Sequence, residues 1–258
     1  MKLVIFSDVH ASIEALEAMD RAERSYDALL FAGDMLDWGF DAHRVIGWFR
    51  ERADILTAVK GNHDRALLNY LDTTYRPETD GKETTYGMVN LKEMTPEDVA
   101  FVRAIPEEAT VSFDGCTYFM KHSYDENKPD EVGRRLMDFS AQPFFEEYWQ
   151  EKVGLNVPNR RIIFGHSHEC WLYQVRGGSL FMNPGSLHYR KHADVIESGG
   201  DYLTVIDGAI TMRHLEFLKT DLEERIAATG FSEDVRATAR RIEASRLKEN
   251  GNDGTKRE

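Results

Sequence analysis

Five short polar clusters, spread over the first two thirds of the chain, carry the side chains that could do chemistry. They read Asp8-Val9-His10, Gly33-Asp34-Met35-Leu36-Asp37, Gly61-Asn62-His63-Asp64, His122 and Gly165-His166-Ser167-His168. Their metal-binding groups are carboxylates, imidazoles and one amide, without a thiolate. Oxygen and nitrogen ligands of this kind favour divalent manganese, iron, zinc, cobalt or nickel. Two such ions roughly 3.5 to 4 Å apart can bind phosphate oxygens and generate hydroxide from water, so the clusters predict a two-metal hydrolytic site.

Each cluster follows a short apolar run that is typical of a β-strand. The runs are Leu3 to Phe6, Ala28 to Ala32, Ile55 to Val59, Thr117 to Met120 and Ile162 to Phe164. Residues two apart in a strand face the same side, so Asp8 and His10 can both reach one ion. The same spacing relates His166 to His168. The candidate ligands therefore lie at strand ends, which can converge in space.

The order of the other elements predicts how these strands are arranged. Helical segments at 12–24, at 41–52 and from Arg65 alternate with strands, which indicates parallel strands joined by crossover helices. The turn pairs Asp114-Gly115, Gly177-Gly178 and Asp207-Gly208 predict hairpins and a more antiparallel second half. A two-sheet α/β sandwich with metals at its rim satisfies both halves.

The order and spacing of the clusters resemble the calcineurin-like metallophosphoesterase superfamily, whose motifs run DxH, GDxxD, GNH(D/E), H and GHxH. The resemblance spans residues 3 to about 190. It implies a four-layer αββα sandwich of two mixed β-sheets flanked by helices, with a dinuclear metal site at the strand ends. It also implies that the first ion is held by Asp8, His10, Asp34 and His168. The second would be held by Asp34, Asn62, His122 and His166, with Asp34 shared.

The resemblance also implies a catalytic pair. In the family, a metal-bridging hydroxide attacks phosphorus in line, without a covalent phosphoenzyme. His63 would then be free to protonate the leaving alkoxide, oriented by Asp37. A histidine suits this task because its ordinary pKa lies close to neutral pH and an acidic neighbour keeps it charged.

Departures from the better-known members narrow the expected branch. Protein phosphatases and symmetrical dinucleotide tetraphosphatases have Asp-Arg-Gly where this chain has Asp37-Trp38-Gly39. The missing arginine removes a bidentate phosphate clamp that Trp38 cannot replace. The segment Asn183-Pro184-Gly185-Ser186 instead resembles small prokaryotic phosphodiesterase-like members. The expected substrate contacts are Asn62, His63, Trp38 and, as weaker candidates, Arg190 and His188.

Composition excludes some classes of partner. The chain has 258 residues, with 45 acidic and 32 basic side chains and a formal net charge of -13. That charge disfavours broad electrostatic capture of nucleic acid or of an anionic membrane. The only two cysteines, Cys116 and Cys170, lack the spacing of a zinc ribbon and are expected to be reduced. Because the first ligand-bearing strand begins almost at Met1, the sequence predicts a cytoplasmic protein.

The expected organisation is one metallophosphoesterase domain over residues 1–218. An insertion at 124–159 could form a cap over the site. Helices at 219–248 are expected to pack on the domain or on a second copy in a homo-oligomer, and 249–258 is expected to be disordered.

The favoured interpretation is a phosphoesterase with two divalent ions per chain, manganese before iron, zinc, nickel or cobalt. Its expected substrate is a phosphodiester or a nucleotide-like small molecule. Two alternatives stay open. One is a non-catalytic metal-binding scaffold of the same fold, and the other is a phosphatase for phosphoproteins or dinucleotide polyphosphates.

Overall fold

The computed structural model describes residues 1–76, 82–123, 157–192, 195–197, 199–217 and 221–240. The expected cap lies outside these residues apart from 157–159, and so does the expected disordered tail at 249–258. The elements are β1 (Lys2–Phe6), α1 (Ile13–Glu23), β2 (Ala28–Phe31), α2 (Ala42–Glu51), β3 (Leu56–Ala58), α3 (Asn62–Thr73), α4 (Tyr86–Glu93), α5 (Pro96–Ala104), β4 (Glu108–Phe113), β5 (Cys116–Lys121), β6 (Arg160–Ile163), β7 (Cys170–Gln174), β8 (Leu180–Pro184), β9 (Arg190–His192), β10 (Val195–Glu197), β11 (Gly200–Ile206), β12 (Ala209–Leu215) and α6 (Leu222–Ala228).

The first sheet has the strand order β12-β11-β1-β2-β3. Strands β1, β2 and β3 are parallel and are joined by α1 and α2, as the alternation of strands and helices predicts. Strands β11 and β12 extend the sheet in antiparallel pairing. A parallel pair needs a long crossover connection, and the two amphipathic helices supply it.

The second sheet has the order β4-β5-β6-β8-β7. Its three central strands β5, β6 and β8 are parallel, while β4 and β7 pair antiparallel at the two edges. The predicted hairpin turns at 114–115, 177–178 and 207–208 connect β4 to β5, β7 to β8 and β11 to β12. A separate two-stranded ribbon is formed by β9 and β10.

Alternation along β1 divides the core into two layers. Val4 and Phe6 pack with the helices on one face of the first sheet. Leu3 and Ile5 point to the other face, where they pack against the second sheet in a cluster that includes Met120. Successive strand residues face opposite sides, so a strand buried on both faces is apolar throughout, as β1 is. The result is the predicted α/β class, two mixed sheets flanked by helices.

The C-terminal helix α6 packs on the same body. Ile226 and Phe231 form a small apolar cluster with Phe40 and Tyr86. Beside it, the Arg225 guanidinium lies 2.6 Å from the Asp41 carboxylate at the start of α2. No helix among the described residues is long and apolar enough to span a lipid bilayer.

Candidate metal centre

All five polar clusters meet at one edge of the sandwich, beyond the carboxyl ends of five parallel strands. Asp8, Asp34 and Asn62 follow β1, β2 and β3 of the first sheet, whereas His122 and the 165–168 loop follow β5 and β6 of the second. Ligand sites of α/β proteins form at such strand ends. The site is therefore built by both sheets together.

Backbone hydrogen bonds hold the loops against one another. The amide of Asp8 donates to the carbonyl of Gly33 at 2.8 Å, and the amide of His10 donates to the carbonyl of Asp34 at 3.1 Å. Between strands of the second sheet, the amide of Gly165 donates to the carbonyl of His122 at 3.1 Å. These bonds fix the relative positions of loops that are far apart in sequence.

Two motif glycines are required because other ligands lie too close for a side chain. A Cβ at Gly61 would lie 1.9 Å from Oδ1 of Asp34, and a Cβ at Gly165 would lie 2.0 Å from Oγ of Ser7 and 2.7 Å from Oδ2 of Asp8. Both glycines allow close approach of a backbone to the buried carboxylates. This is the physical reason for a glycine before each of these clusters.

Backbone strain is concentrated in the same loops. Left-handed φ values occur at the non-glycine residues Asp8 (54°), His10 (48°), Asp34 (59°), Asp37 (69°), Trp38 (59°), His166 (70°) and His168 (60°). Each such conformation costs on the order of 1 to 3 kcal/mol and persists only where the surroundings determine it. The fold therefore holds these side chains in directions that an unconstrained chain would seldom adopt.

The first group of candidate ligands consists of Asp8, His10 and His168, whose donor atoms lie within 4.8 Å of one another. Nε2 of His168 is 3.1 Å from Oδ1 of Asp8 and 3.2 Å from Nε2 of His10. Nδ1 of His10 lies 3.2 Å from the carbonyl of Leu36, to which it can donate, leaving the Nε2 lone pair directed into the group.

The buried carboxylate of Asp8 indicates that a cation would fit the first group. The residue is fully buried, and apart from the facing His168 ring its Oδ1 receives no hydrogen bond from the described part of the chain. A buried carboxylate oxygen without a donor is costly unless something else satisfies it. A divalent cation held by Oδ1 and two imidazole nitrogens would do so.

The second group consists of Asp34, His122 and His166, joined by Asn62. Oδ2 of Asp34 is 3.0 Å from Nε2 of His122. The amide oxygen of Asn62 is 3.0 Å from the same nitrogen and 2.9 Å from Nδ1 of His166. Nδ1 of His122 lies 2.7 Å from the carbonyl of Ala32, to which it donates, so Nε2 is the nitrogen that faces the group.

The charges of the two groups act on each other, with Asp34 near both. Burial raises the pKa of Asp34, but the facing His122 and, to a smaller extent, His10 lower it by more than that. Its pKa therefore lies well below the ordinary value. In Asp8 burial also opposes ionisation, yet His168 and His122 bring its pKa down to about 2. Both carboxylates are therefore anionic at neutral pH, as metal ligands must be.

The pKa values of the candidate histidine ligands shift in two directions. Burial lowers the pKa of His10 to about 4, and burial together with the charge of His122 lowers the pKa of His166 to about 4. These two rings are neutral at pH 7 and keep a free lone pair. Burial also disfavours the charged form of His122, but the adjacent Asp34 carboxylate raises its pKa to about 9. Without a cation, this ring carries the charge that balances Asp34.

The predicted catalytic pair lies beside the ligands. Nδ1 of His63 is 2.8 Å from Oδ2 of Asp37, and the backbone amide of His63 donates to Oδ1 of Asp34 at 2.9 Å. Burial lowers the pKa of His63, but the hydrogen bond to Asp37 and the charge of Asp34 together raise it above its ordinary value. Because Asp37 engages Nδ1, the nitrogen available to donate a proton outward is Nε2.

Two residues outside the predicted set position these loops. Asp64 is fully buried and accepts hydrogen bonds from the amides of Gly61, Met35 and Leu36 at 2.9, 3.3 and 3.0 Å. It is the last residue of the third motif, and no role is predicted for it from the sequence. Asn90 in α4 is a different case, because no motif marks it.

Asn90 is fully buried and bridges two points of the second cluster. Its side-chain oxygen accepts from the amide of Asp37 at 2.8 Å, and its side-chain nitrogen donates to the carbonyl of Gly39 at 2.8 Å. The bridge fixes the backbone on both sides of Trp38. It therefore anchors the carboxylate that orients His63.

Trp38 lies at the rim of the site with 36 % of its surface exposed. Its ring centroid is 5.7 Å from those of His10 and His63, and Tyr189, which the sequence did not single out, stacks on it at 6.1 Å. Tyr189 also lies 4.6 Å from the His168 ring. The aromatic pair thus forms one wall of the site, next to His10 and His168 of the first group.

The two weaker substrate-contact candidates lie differently. Arg190 forms an ion pair with Asp201, with its Nε 3.3 Å from Oδ1. His188 is only 1 % exposed, and its ring is 5.6 Å from that of His10, so it packs behind a candidate ligand. Neither arrangement supports a direct contact with substrate.

Comparisons with known proteins agree with the fold and the motifs. Residues 1–205 match the sequence model of the calcineurin-like phosphoesterase superfamily domain. A metallophosphoesterase from Sphaerobacter thermophilus is structurally similar, with 18 % identity, a TM-score of 0.68 and coverage of 95 % of this chain and 99 % of the other. A protein from Pyrococcus horikoshii OT3 is 12 % identical, with a TM-score of 0.69 and coverage of 92 % and 97 %. At these identities, both structures show a shared fold. No curated protein matches the chain by sequence.

Proposed function

The chain belongs to the calcineurin-like phosphoesterase superfamily and is a metallophosphoesterase, a hydrolase of phosphoester bonds; from that premise we propose that its substrates are phosphodiesters or nucleotide-like small molecules. The observation that carries the proposal is the pair of adjoining donor groups with the His63 and Asp37 pair beside them. The proposed ligands are the seven residues Asp8, His10, Asp34, Asn62, His122, His166 and His168. Manganese is the proposed ion, with iron, zinc, nickel or cobalt as alternatives.

The roles of the side chains follow from their positions. The seven proposed ligands would hold two divalent cations, which would supply a hydroxide nucleophile from water and bind the phosphate oxygens. Nε2 of His63 donates a proton to the departing alkoxide, while Asp37 holds Nδ1 and keeps the ring charged and oriented. Asn62 contributes a neutral oxygen, which adds no negative charge where the anionic substrate binds. Trp38 forms the wall beside the departing group.

A diester is favoured over a phosphomonoester because of the charge at the rim. A monoester carries two negative charges near neutral pH, and a diester carries one. The place next to Asp37 that could hold an arginine clamp is occupied by Trp38, which stacks on Tyr189. An indole cannot neutralise the second charge of a monoester. For the same reason, phosphoprotein and dinucleotide polyphosphate substrates are less favourable.

The test compares substrates and one variant. Manganese-loaded protein should hydrolyse bis-p-nitrophenyl phosphate with a higher kcat/KM than p-nitrophenyl phosphate or a phosphopeptide. His63→Asn should keep both ions, measured by elemental analysis, but lose about a hundredfold or more in turnover of a diester with a poor leaving group. Full activity of that variant would refute the acid assignment. Two bound ions without turnover of any phosphoester would instead indicate a metal-binding scaffold.

We propose a cytoplasmic location and small-molecule substrates, without broad nucleic-acid binding. The location is supported by Cys116 and Cys170, both of which are unpaired thiols. The formal charge of -13 supports the absence of broad nucleic-acid binding.

A further inference from the structure

An apolar pocket lies next to the proposed catalytic pair, between α3 and α4. Its volume is about 330 Å³, and Asp37 is one of the residues that line it. Its walls include Leu67 and Tyr70 of α3 and Met88 of α4. The volume is at the lower end of the range for small-molecule sites, which is roughly 300 to 1,000 Å³, and is sufficient for a single ring.

The pocket follows the face of α3 that begins at His63. Residues three, four and seven positions apart lie on the same side of a helix, and Ala66, Leu67 and Tyr70 stand in that relation to His63. A group bonded to the oxygen that His63 protonates can therefore extend along this face. The pocket adjoins the catalytic pair, because Asp37, the hydrogen-bond partner of His63, is one of its lining residues.

The lining is mainly apolar, and its described residues offer no cation to an anionic group. Leu67 and Met88 are 4 % and 7 % exposed. The Thr85 hydroxyl accepts from the amide of Met88 at 3.2 Å, and the Thr84 hydroxyl donates to the sulfur of the same residue at 3.3 Å, so each hydroxyl already makes one hydrogen bond to Met88. Of the residues that line the pocket in the described part of the chain, only Asp37 is charged.

We infer that this pocket binds the leaving group of the substrate and that this group is a neutral aromatic or apolar alcohol. The inference rests on the proposed function, because it takes His63 as the acid that protonates the leaving oxygen. A leaving group bearing a phosphate or carboxylate would lose hydration against these apolar side chains, and no cationic residue among the described ones that line the pocket would compensate for that loss. The pocket therefore excludes nucleoside phosphates as leaving groups and accepts a single uncharged ring.

Gly87 in α4 offers a way to fill the pocket without changing the ligands or the catalytic pair. A Cβ at this position would lie 3.3 Å from the tip of Leu67, so a larger side chain would extend into the pocket. Gly47 in α2 provides the matched control, because a Cβ there would meet nothing within 4 Å. Gly87→Leu and Gly47→Leu thus make the same change in two helices, and only the first fills the pocket. Ala66→Leu fills it from α3 if Gly87→Leu fails to fold.

The kinetic test uses p-nitrophenyl methyl phosphate, whose only ring is on the leaving side. Gly87→Leu should raise KM about tenfold with little change in kcat, whereas Gly47→Leu should leave both constants unchanged. A second pair of substrates differs in the charge of the leaving group but hardly in its shape. The wild type should hydrolyse 4-carbamoylphenyl methyl phosphate with a kcat/KM several times that for the 4-carboxyphenyl analogue.

A binding measurement separates this inference from the proposed function. Saturation-transfer NMR with p-nitrophenol, the leaving product, can be recorded at a pH where it is neutral, on protein without metal. Contact with the wild type and Gly47→Leu that disappears in Gly87→Leu supports the pocket even if no hydrolysis is found. Equal contact with all three proteins, or none with the wild type, overturns it. Turnover of diesters with identical KM in both variants overturns the pocket and leaves the proposed function in place.

Discussion

Asn90→Ala is expected to destabilise the protein and to lower its kcat, although the side-chain hydrogen bonds of Asn90 within the described residues go to Asp37 and Gly39 rather than to a candidate metal ligand. The substitution removes the acceptor for the amide of Asp37 and the donor to the carbonyl of Gly39, both at 2.8 Å. Each backbone group left without a partner in a buried position costs about 1 to 3 kcal/mol. Since alanine is the better helix former by roughly 0.5 kcal/mol, the expected net loss is about 1.5 to 5.5 kcal/mol in the free energy of unfolding.

The catalytic effect follows from the freed loop. With its amide released, Asp37 no longer holds Nδ1 of His63 at a fixed position, and misplacement of a catalytic group by about 1 Å can cost on the order of a hundredfold in rate. The expected result is a fall in kcat of about tenfold to a hundredfold with two ions still bound. Urea denaturation, steady-state hydrolysis of a diester and elemental analysis measure the three quantities.

The matched control is Asn69→Ala, since Asn69 is an exposed residue of α3. The same change there should leave kcat unaltered and stabilise the protein slightly, through helix propensity alone. The reasoning is refuted if the two variants unfold at the same urea concentration. It is also refuted if Asn90→Ala keeps the kcat of the wild type.

Three further predictions concern the metals, the rim and a buried ion cluster. Chelation should lower Tm, and returning manganese at a thousand times Kd should restore about 4 kcal/mol of stability, as followed by differential scanning fluorimetry. Trp38→Arg should raise the ratio of monoester to diester kcat/KM, because it adds the missing cation; an unchanged ratio would contradict the charge argument. Glu23 is buried and lies 2.6 Å from Lys2; burial raises its pKa, but the hydrogen bonds of Lys2 and Tyr202 lower it below the ordinary value. Glu23→Gln should therefore cost roughly 1 to 3 kcal/mol at pH 7, a difference that is present above the unfolded pKa and disappears as pH falls through the lower folded value. Urea titrations at pH 7 and pH 3 measure it, and an equal loss at both would count against the ion cluster.

Local signals in the sequence account for the strands and for the sheet arrangement. The five apolar runs are strands to within one or two residues at each end, because alternating or continuous apolar residues bounded by turns have few other ways to be buried. The predicted hairpins at 114–115, 177–178 and 207–208 are also found, since Asp-Gly and Gly-Gly supply the backbone conformations that tight turns require. The family resemblance, rather than periodicity, supplied the assignment of ligands to two ions.

Partners that are distant in sequence could not be predicted in this way. Asn90 lies 53 residues from Asp37, and a single asparagine in an amphipathic helix has no local signature. Tyr189 is likewise placed against Trp38 by the packing of a loop from the far part of the chain. The contact of α6 with Phe40 depends on where the chain returns after β12, which no short pattern specifies. Such residues become visible only when the tertiary structure brings them together.

Each proposed ion takes ligands from both sheets, and this has a consequence for the interior. Asp8 and His10 follow a strand of the first sheet, and His168 follows a strand of the second. The distance between the two sheets therefore determines how far apart their donor atoms lie. That gap is filled by Ile5, Met120 and their neighbours. The size of the apolar side chains between the sheets therefore determines the spacing of the candidate ligands at the sheet edge. Substitutions that enlarge or shrink these apolar side chains would therefore change the preferred ionic radius of the cation, although every ligand would be retained.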